Sequence, residues 1–367
     1  MNQSKALFLV PSDNFHGFRP LEDFEGGAFL QLQLKPAAQA CKDIGIAPYC
    51  LSLHTQHPED LELIEHPAIC IAGKIRTKGE KKRQAQAMAQ LALLARLKSR
   101  KIPIICIYSD HMEDRLPASR ELYRDFLKLS DHVVFPCEAI KKKCLNWIPE
   151  IKHHSVIVDP WQVNITPFNT GQTNEIQAIW FGHESNFTFM ASLLNELKNS
   201  AIIKRKKINL TILTSEWGLD QYSDCIDEAH DGSNLNIRKV KWIHSQQPMQ
   251  LEQELSQATF CLLPSDPQNP HKSYSSHNRI VDAIRGGCIT IASPIESYLE
   301  LKQIALVGSN IIELLHMADD QQKRLSIKYE SSREKLIKRF SPRNNKNSWL
   351  NCIQETLNNA HTSNSQK

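Results

Sequence analysis

Short apolar runs alternate with longer amphipathic stretches along almost the whole chain, and that alternation admits few folds. Residues 6–10 form a continuous apolar run stopped by the turn-forming Pro11-Ser12-Asp13, the pattern of a buried strand. Residues 68–72, 102–108, 132–135 and 155–158 read the same way. Helical patterns lie between them. In residues 80–100, Met88, Leu91, Leu94 and Ala95 recur at helical spacing while Lys81, Lys82 and Arg83 are left for water. Residues 120–129 and 138–147 supply two more helices. Strand and helix in alternation imply a parallel sheet covered on both faces.

The pattern breaks at residues 159–173, where Asp159-Pro160-Trp161 and the stretch from Thr166 to Thr173 read as a linker. It then resumes with strands at 177–181, 208–213, 240–243, 259–263 and 288–292, and helices at 187–198, 249–257 and 278–285. A polar, helix-prone C-terminus follows, with residues 361–367 read as a frayed tail. A chain of 367 residues exceeds one ordinary core. The expected organisation is a Rossmann-like N-terminal domain over 1–165, a second Rossmann-like domain over 174–340, and a C-terminal helix at 341–360 that crosses back to the first domain.

Composition narrows the class. With 41% hydrophobic and 23% charged residues the chain is of the soluble globular kind. The net charge of +4 suits phosphate-bearing ligands and plain solubility alike. Cys70, Cys106, Cys261 and Cys288 sit inside strand-like apolar runs, where cysteine acts as a small buried hydrophobe, so a reducing compartment is expected. Residues 1–10 lack the h-region and cleavage site of a signal peptide, and no stretch reaches the roughly 18 apolar residues of a membrane span. The expected location is cytoplasmic, with peripheral membrane contact left open. The basic runs at 81–83, 141–143 and 204–207 are short and lack interleaved aromatics, so they read as solvated helix faces and no nucleic-acid partner is expected. There is no G-x-G-x-x-G, no P-loop, no D-x-D triplet and no Cys/His metal spacing, and His153-His154 reads as solvent-facing. No cofactor and no metal are expected.

The stretch 259–300 carries the most chemistry. A buried-strand run ends in Pro264-Ser265, and a polar loop with Lys272, Ser273, Ser275 and Ser276 leads into a helix that Gly286-Gly287 stops. Ser275 or Ser276 is expected as N-cap and the glycine pair as C-cap. The helix N-terminus then faces the carboxyl-end crevice of the sheet, flanked by Lys272 and Arg279. Two cations and a helix dipole suit a diphosphate without a metal. An ordinary surface pair of Arg279 with Asp282 fits the same spacing.

Asn278-Arg279-Ile280-Val281-Asp282-Ala283 running through Gly287 into Ile289-Thr290-Ile291-Ala292-Ser293, preceded by Lys272-Ser273, resembles the donor-binding signature of GT-B glycosyltransferases related to family 4. Ala178 to Gly182 followed by Asn186, the Val240-Lys241-Trp242 run and Cys261 to Pro264 match further landmarks in order and spacing. The resemblance covers about 120 residues of the C-terminal half, and the N-terminal half only in layout. It implies an α/β GT-B fold, two Rossmann-like doubly wound domains facing a cleft. It implies that Lys272, Asn278 and Arg279 contact donor phosphates, that Asp282 holds the ribose, and that Gly182 and His183 approach the diphosphate, with Ser276 in the same donor-binding set. Two positions depart from the pattern: Tyr274 stands where stricter members carry a glutamate, and Asp282 replaces the longer Glu.

On the acceptor side, the apolar run 104–108 opens into Ser109-Asp110-His111, where Asp110 or His111 could deprotonate an acceptor hydroxyl or orient the sugar. A turn cap and a solvated loop histidine are the alternatives. In the first loop, Arg19 beside Gly17 could reach a phosphate or an acidic acceptor, and Glu25-Gly26-Gly27 sets up the first helix. The expected activity is metal-independent, hexosyltransferase-type transfer from a nucleotide diphosphate sugar to a hydroxyl acceptor (glycan, lipid-linked or small molecule), in polysaccharide biosynthesis. The alternatives are a non-catalytic GT-B-like nucleotide- or glycan-binding module and a nucleotide-sugar epimerase.

Overall fold

The computed structural model describes residues 4–10, 18–23, 27–52, 66–73, 80–114, 117–170, 174–230, 234–270 and 272–365. The turn at Pro11-Ser12-Asp13, Gly17 and the rest of the first loop before Phe18, Glu25-Gly26, residues 171–173 and the side chains of Lys81, Lys82 and Arg83 lie outside the described residues. The chain divides into two compact units, one of Met1–Pro160 with Pro342–Lys367, the other of Trp161–Ser341.

The first unit holds a seven-stranded sheet in the order β2-β3-β1-β4-β5-β6-β7, built from β1 (Lys5–Val10), β2 (Phe18–Pro20), β3 (Ala47–Ser52), β4 (Ile69–Ala72), β5 (Ile104–Ile107), β6 (His132–Phe135) and β7 (His154–Val156). Neighbours pair in parallel except the short edge strand β2, which runs antiparallel to β3. Every residue of β4, β5 and β6 is buried, as strands covered on both faces must be. Strand β3 is absent from the sequence expectation because its run, Ala-Pro-Tyr-Cys-Leu-Ser, contains a proline and none of the Val and Ile that mark β4, β5 and β6. The C-terminal helix Pro342–Ser365 belongs to this unit: Trp349, Cys352 and Ile353 share a buried cluster with Phe8, Ala37 and Cys41, and Lys346 Nζ lies 2.7 Å from Asp43. It continues as helix to Ser365, past the point where fraying was expected.

The second unit is a six-stranded, wholly parallel sheet in the order β10-β9-β8-β11-β12-β13. Its strands are β8 (Glu175–Phe181), β9 (Lys207–Thr214), β10 (Leu235–Lys241), β11 (Phe260–Leu263), β12 (Ile289–Ala292) and β13 (Leu306–Val307). The order reverses at β8 and β11, which places a topological switch point between them. Strand β10 covers 235–241 rather than the expected 240–243. As an edge strand it buries only Leu235 and carries Arg238, Lys239 and Lys241, so its apolar signal is weak.

Residues 161–169 have no regular structure, yet they are tied down to the second unit. Gln162 N–H donates to Asp282 Oδ1 at 2.7 Å, Arg285 Nε to the Val163 carbonyl at 2.8 Å, Thr166 N–H to the Arg285 carbonyl at 2.9 Å and Phe168 N–H to Glu330 Oε2 at 3.1 Å. The buried guanidinium of Arg333 donates to the Thr166 carbonyl. Gly287 adopts φ +85°, and a Cβ there would come within 2.6 Å of the Pro167 carbonyl oxygen, so the turn requires glycine on both counts. Nine of the ten cysteines are buried. Among the described residues no helix is long and apolar enough to cross a membrane.

Candidate functional site

At the switch point of the second unit, β8 and β11 end side by side. The helices Phe187–Lys198 and Asn278–Arg285 both begin there, neither with a side-chain capping bond, and point the positive ends of their dipoles toward the carboxyl edge. Strand β8 is followed by Gly182, whose N–H donates to the Leu213 carbonyl at 3.1 Å and whose carbonyl accepts from Thr214 Oγ1 at 2.8 Å. Gly182 has φ +156°, and a Cβ on it would lie 3.1 Å from Arg279 Cζ. The guanidinium of Arg279 therefore rests against the glycine backbone. It lies 5.5 Å from the ring centre of Trp180 and 5.6 Å from that of Phe181. Its Nε and Nη2 are buried with no hydrogen-bond partner among the described residues. Buried donors left unpaired are costly, and two of them fixed in one plane on a half-buried guanidinium are matched by the oxygens of a phosphate.

Lys272 joins the same place from the loop after β11. Its Nζ donates to Ser185 Oγ at 3.1 Å, bridging to the turn that follows Gly182. That turn is internally bonded. His183 Nδ1 accepts from Ser185 N–H at 3.2 Å, His183 Nε2 lies 3.0 Å from Glu184, and Ser215 Oγ donates to Glu184 Oε2 at 2.9 Å. Four of the residues singled out from the sequence, Gly182, His183, Lys272 and Arg279, are thus collected at one edge.

The remaining members of the set take other positions. The N-cap of the 278–285 helix is His277, without a side-chain capping bond, and not Ser275 or Ser276; the loop is instead pinned by Ser297 Oγ donating to the Ser275 carbonyl at 2.6 Å. Ser276 is half-buried in that loop. Asn278 turns its Oδ1 back to Arg279 N–H at 2.8 Å. Asp282 is buried, and its Oδ1 accepts the Gln162 N–H described above, because its position on the helix faces the linker.

Sequence reasoning passed over the network beneath the helix N-terminus. His277, 2% exposed, places Nε2 3.1 Å from Glu300, which Arg339 also pairs with, and its ring tilts over Phe340 at 5.0 Å. Burial alone would raise the Glu300 carboxyl, but the hydrogen bonds and charges of His277 and Arg339 outweigh it and hold the group at about 2. The three residues are up to 62 positions apart in sequence, so no local pattern announces them.

In the first unit, Asp110 and His111 follow β5 at its carboxyl end. Tyr108 Oη accepts from Met112 N–H at 2.7 Å, which fixes the bend between them. His111 is 3% exposed, its ring edge-on to Trp147 at 6.4 Å and its Nε2 3.2 Å from Asp114 and 3.5 Å from Glu113. Burial lowers its pKa more than the two carboxylates raise it, so the imidazole is neutral near pH 7. His111, Glu113 and Asp114 bring ligand atoms within 4.8 Å of one another, but Lys143 Nζ lies 3.3 Å from Glu113 and already neutralises part of that charge. Arg19 stands apart from this pair, on β2, with β3, β1 and β4 between it and β5.

No known family model matches the sequence, and no curated protein matches it. Solved structures do match. HepE of Anabaena, crystallised with UDP and glucose, superposes with a TM-score of 0.65 at 12% identity, covering 97% of this chain and 99% of its own. Sucrose-phosphate synthase of Thermosynechococcus elongatus gives 0.59 at 10% identity with both chains fully covered. TarM gives 0.53 at 12% identity over 78% of this chain, which spans only 54% of TarM. At this level of identity the likeness is one of fold, and the fold is that of the GT-B glycosyltransferases.

Proposed function

We propose that the protein is a glycosyltransferase that takes its donor as a nucleotide diphosphate sugar on the second unit and passes the sugar to a hydroxyl acceptor. The observation that carries this reading is Arg279: a guanidinium held between two aromatic rings and a glycine, with two buried donors left open at the switch point of a Rossmann-like sheet. Lys272 and the two helix N-termini complete a cationic edge able to neutralise a leaving diphosphate without a metal. HepE, of the same fold, was crystallised with UDP and glucose, which supports this class of ligand.

His111, neutral and backed by carboxylates, has the protonation state of a general base, and Asp110 beside it can orient an acceptor hydroxyl. The acceptor is a hydroxyl of a glycan, a lipid-linked sugar or a small molecule. A second reading, nucleotide binding without transfer, draws on Asp282 being engaged by Gln162 and on Tyr274 standing at the glutamate position.

A thermal-shift panel of nucleoside diphosphates and their sugars, followed by assay of sugar release, separates the two. Ligand at about 100 times its dissociation constant should stabilise the protein by about 2.7 kcal/mol. Turnover that falls about 10²-fold or more in His111→Ala, with binding kept, supports transfer. Binding with neither transfer nor hydrolysis supports the second reading, and no shift with any nucleotide refutes both.

A further inference from the structure

A nucleoside attached to a diphosphate at the β8–β11 crevice must run along the carboxyl edge of the sheet, and the two directions are not equivalent. Toward β12 the edge is closed by its own bonds. Ser265 N–H donates to Ser293 Oγ at 2.9 Å, Ser297 Oγ donates to the Ser275 carbonyl, and Tyr298 is buried beneath them. Toward β9 lie Ser215, Glu216 and Trp217, the start of the short helix Glu216–Gln221. Trp217 is 61% exposed, more than any other large hydrophobic side chain among the described residues.

The backbone beneath that indole is fixed on both sides. Ser215 Oγ accepts from Gly218 N–H at 3.1 Å while donating to Glu184, so the segment is fastened to the turn that also receives Lys272. A Cβ on Gly218 would come within 2.8 Å of Glu184 Cβ, which shows how closely the two loops pack. On the other side, Glu216 pairs with Lys241 at 2.6 Å and Trp242 N–H donates to the Thr214 carbonyl at 2.7 Å. Strand β9 is one strand from β8, and β10 is two, so this ground lies about 5 to 10 Å along the edge from the crevice. That is the reach of a nucleoside. A flat ring on a rigid backbone, left in water at that distance, is suited to stack on another flat ring.

We propose that Trp217 is the stacking platform for the base of the bound nucleotide. The inference rests on the donor-site reading above and adds to it the direction in which the nucleotide lies. Because any base presents a π-face, stacking adds affinity without choosing the base, and selection among bases falls to the neighbouring polar loops.

The test compares two probes, uridine diphosphate and inorganic pyrophosphate, titrated calorimetrically into the full chain and into Trp217→Ala and Trp217→Phe. Trp217→Ala should weaken uridine diphosphate about ten-fold or more and leave pyrophosphate unchanged, while Trp217→Phe should stay within about three-fold of the parent. Quenching of intrinsic fluorescence by uridine diphosphate should be present in the parent and reduced in Trp217→Phe. If Trp217→Ala binds uridine diphosphate as the parent does, the stacking role is overturned while the phosphate site stands. If Trp217→Ala loses pyrophosphate as well, the residue supports the fold of the edge and the proposal is equally overturned. If the parent binds neither probe, the donor-site reading itself fails.

Discussion

Arg279 illustrates how a residue of ordinary sequence character acquires a specific chemistry. Its positive charge is common, but its setting is not: Trp180 and Phe181 supply faces, Gly182 supplies a backbone without a Cβ, and Nε and Nη2 meet no acceptor among the described residues. A lysine in its place would keep the charge and lose the planar pair of donors. Glu300 is the opposite case, a carboxylate whose partners are all present. Its folded-state pKa of about 2 lies below the unfolded value of about 4.3, so its contribution to stability is complete above the unfolded value and is lost as pH falls toward 2. Denaturant midpoints measured between pH 5 and 2.5 should fall in the parent and fall less steeply in Glu300→Gln. Equal slopes in the two proteins would mean that the His277–Glu300–Arg339 network does not hold the carboxylate as described.

At the scale of elements, the helix Asn278–Arg285 serves two ends. Its first turn carries Arg279 to the crevice, and its last turn, through Asp282 and Arg285, holds residues 162–166. Gly287 closes the arrangement, since no side chain fits between the helix end and Pro167. Gly287→Ala should cost about 2 kcal/mol or more, from the left-handed φ and the contact with the Pro167 carbonyl together. Urea denaturation checks this, and a stability within about 0.5 kcal/mol of the parent would show that the turn relaxes. Most elements were legible because the apolar run and the capping glycines are local signals; the helices at 138–147, 187–198, 249–257 and 278–285 lie where the sequence placed them. The misses have physical reasons. Strand β3 hides behind Pro48, β10 is a charged edge, and β2 and β13 have three and two residues. The pairing of Lys272 with Arg279 was readable from the loop and helix that carry them, and the addition of Gly182 from the resemblance to the GT-B signature. The tie from Asp282 to Gln162 spans 120 positions and is fixed only by tertiary packing.

At the scale of the whole molecule, the chain order of the units matters more than their size. The first unit is assembled from both ends of the chain, because Trp349, Cys352 and Ile353 from the last helix complete a core begun by Phe8 and Ala37. Stopping the chain after Ser341 removes the buried apolar side chains Trp349, Cys352 and Ile353 together with buried Asn345 and Thr356, a loss of several kcal/mol, enough to consume most of a domain's net stability. Limited proteolysis of that truncated form should cleave the first unit rapidly and leave residues 161–341 as a resistant fragment. Equal resistance of both halves would mean that the last helix is dispensable. The central claim, that the second unit grips a nucleoside diphosphate through Arg279, is tested most directly by calorimetric titration of uridine diphosphate into the parent and Arg279→Ala. Loss of the charged donors should weaken binding by about 2 kcal/mol, roughly 30-fold, with the fold intact. Equal affinity in the two proteins would contradict the claim.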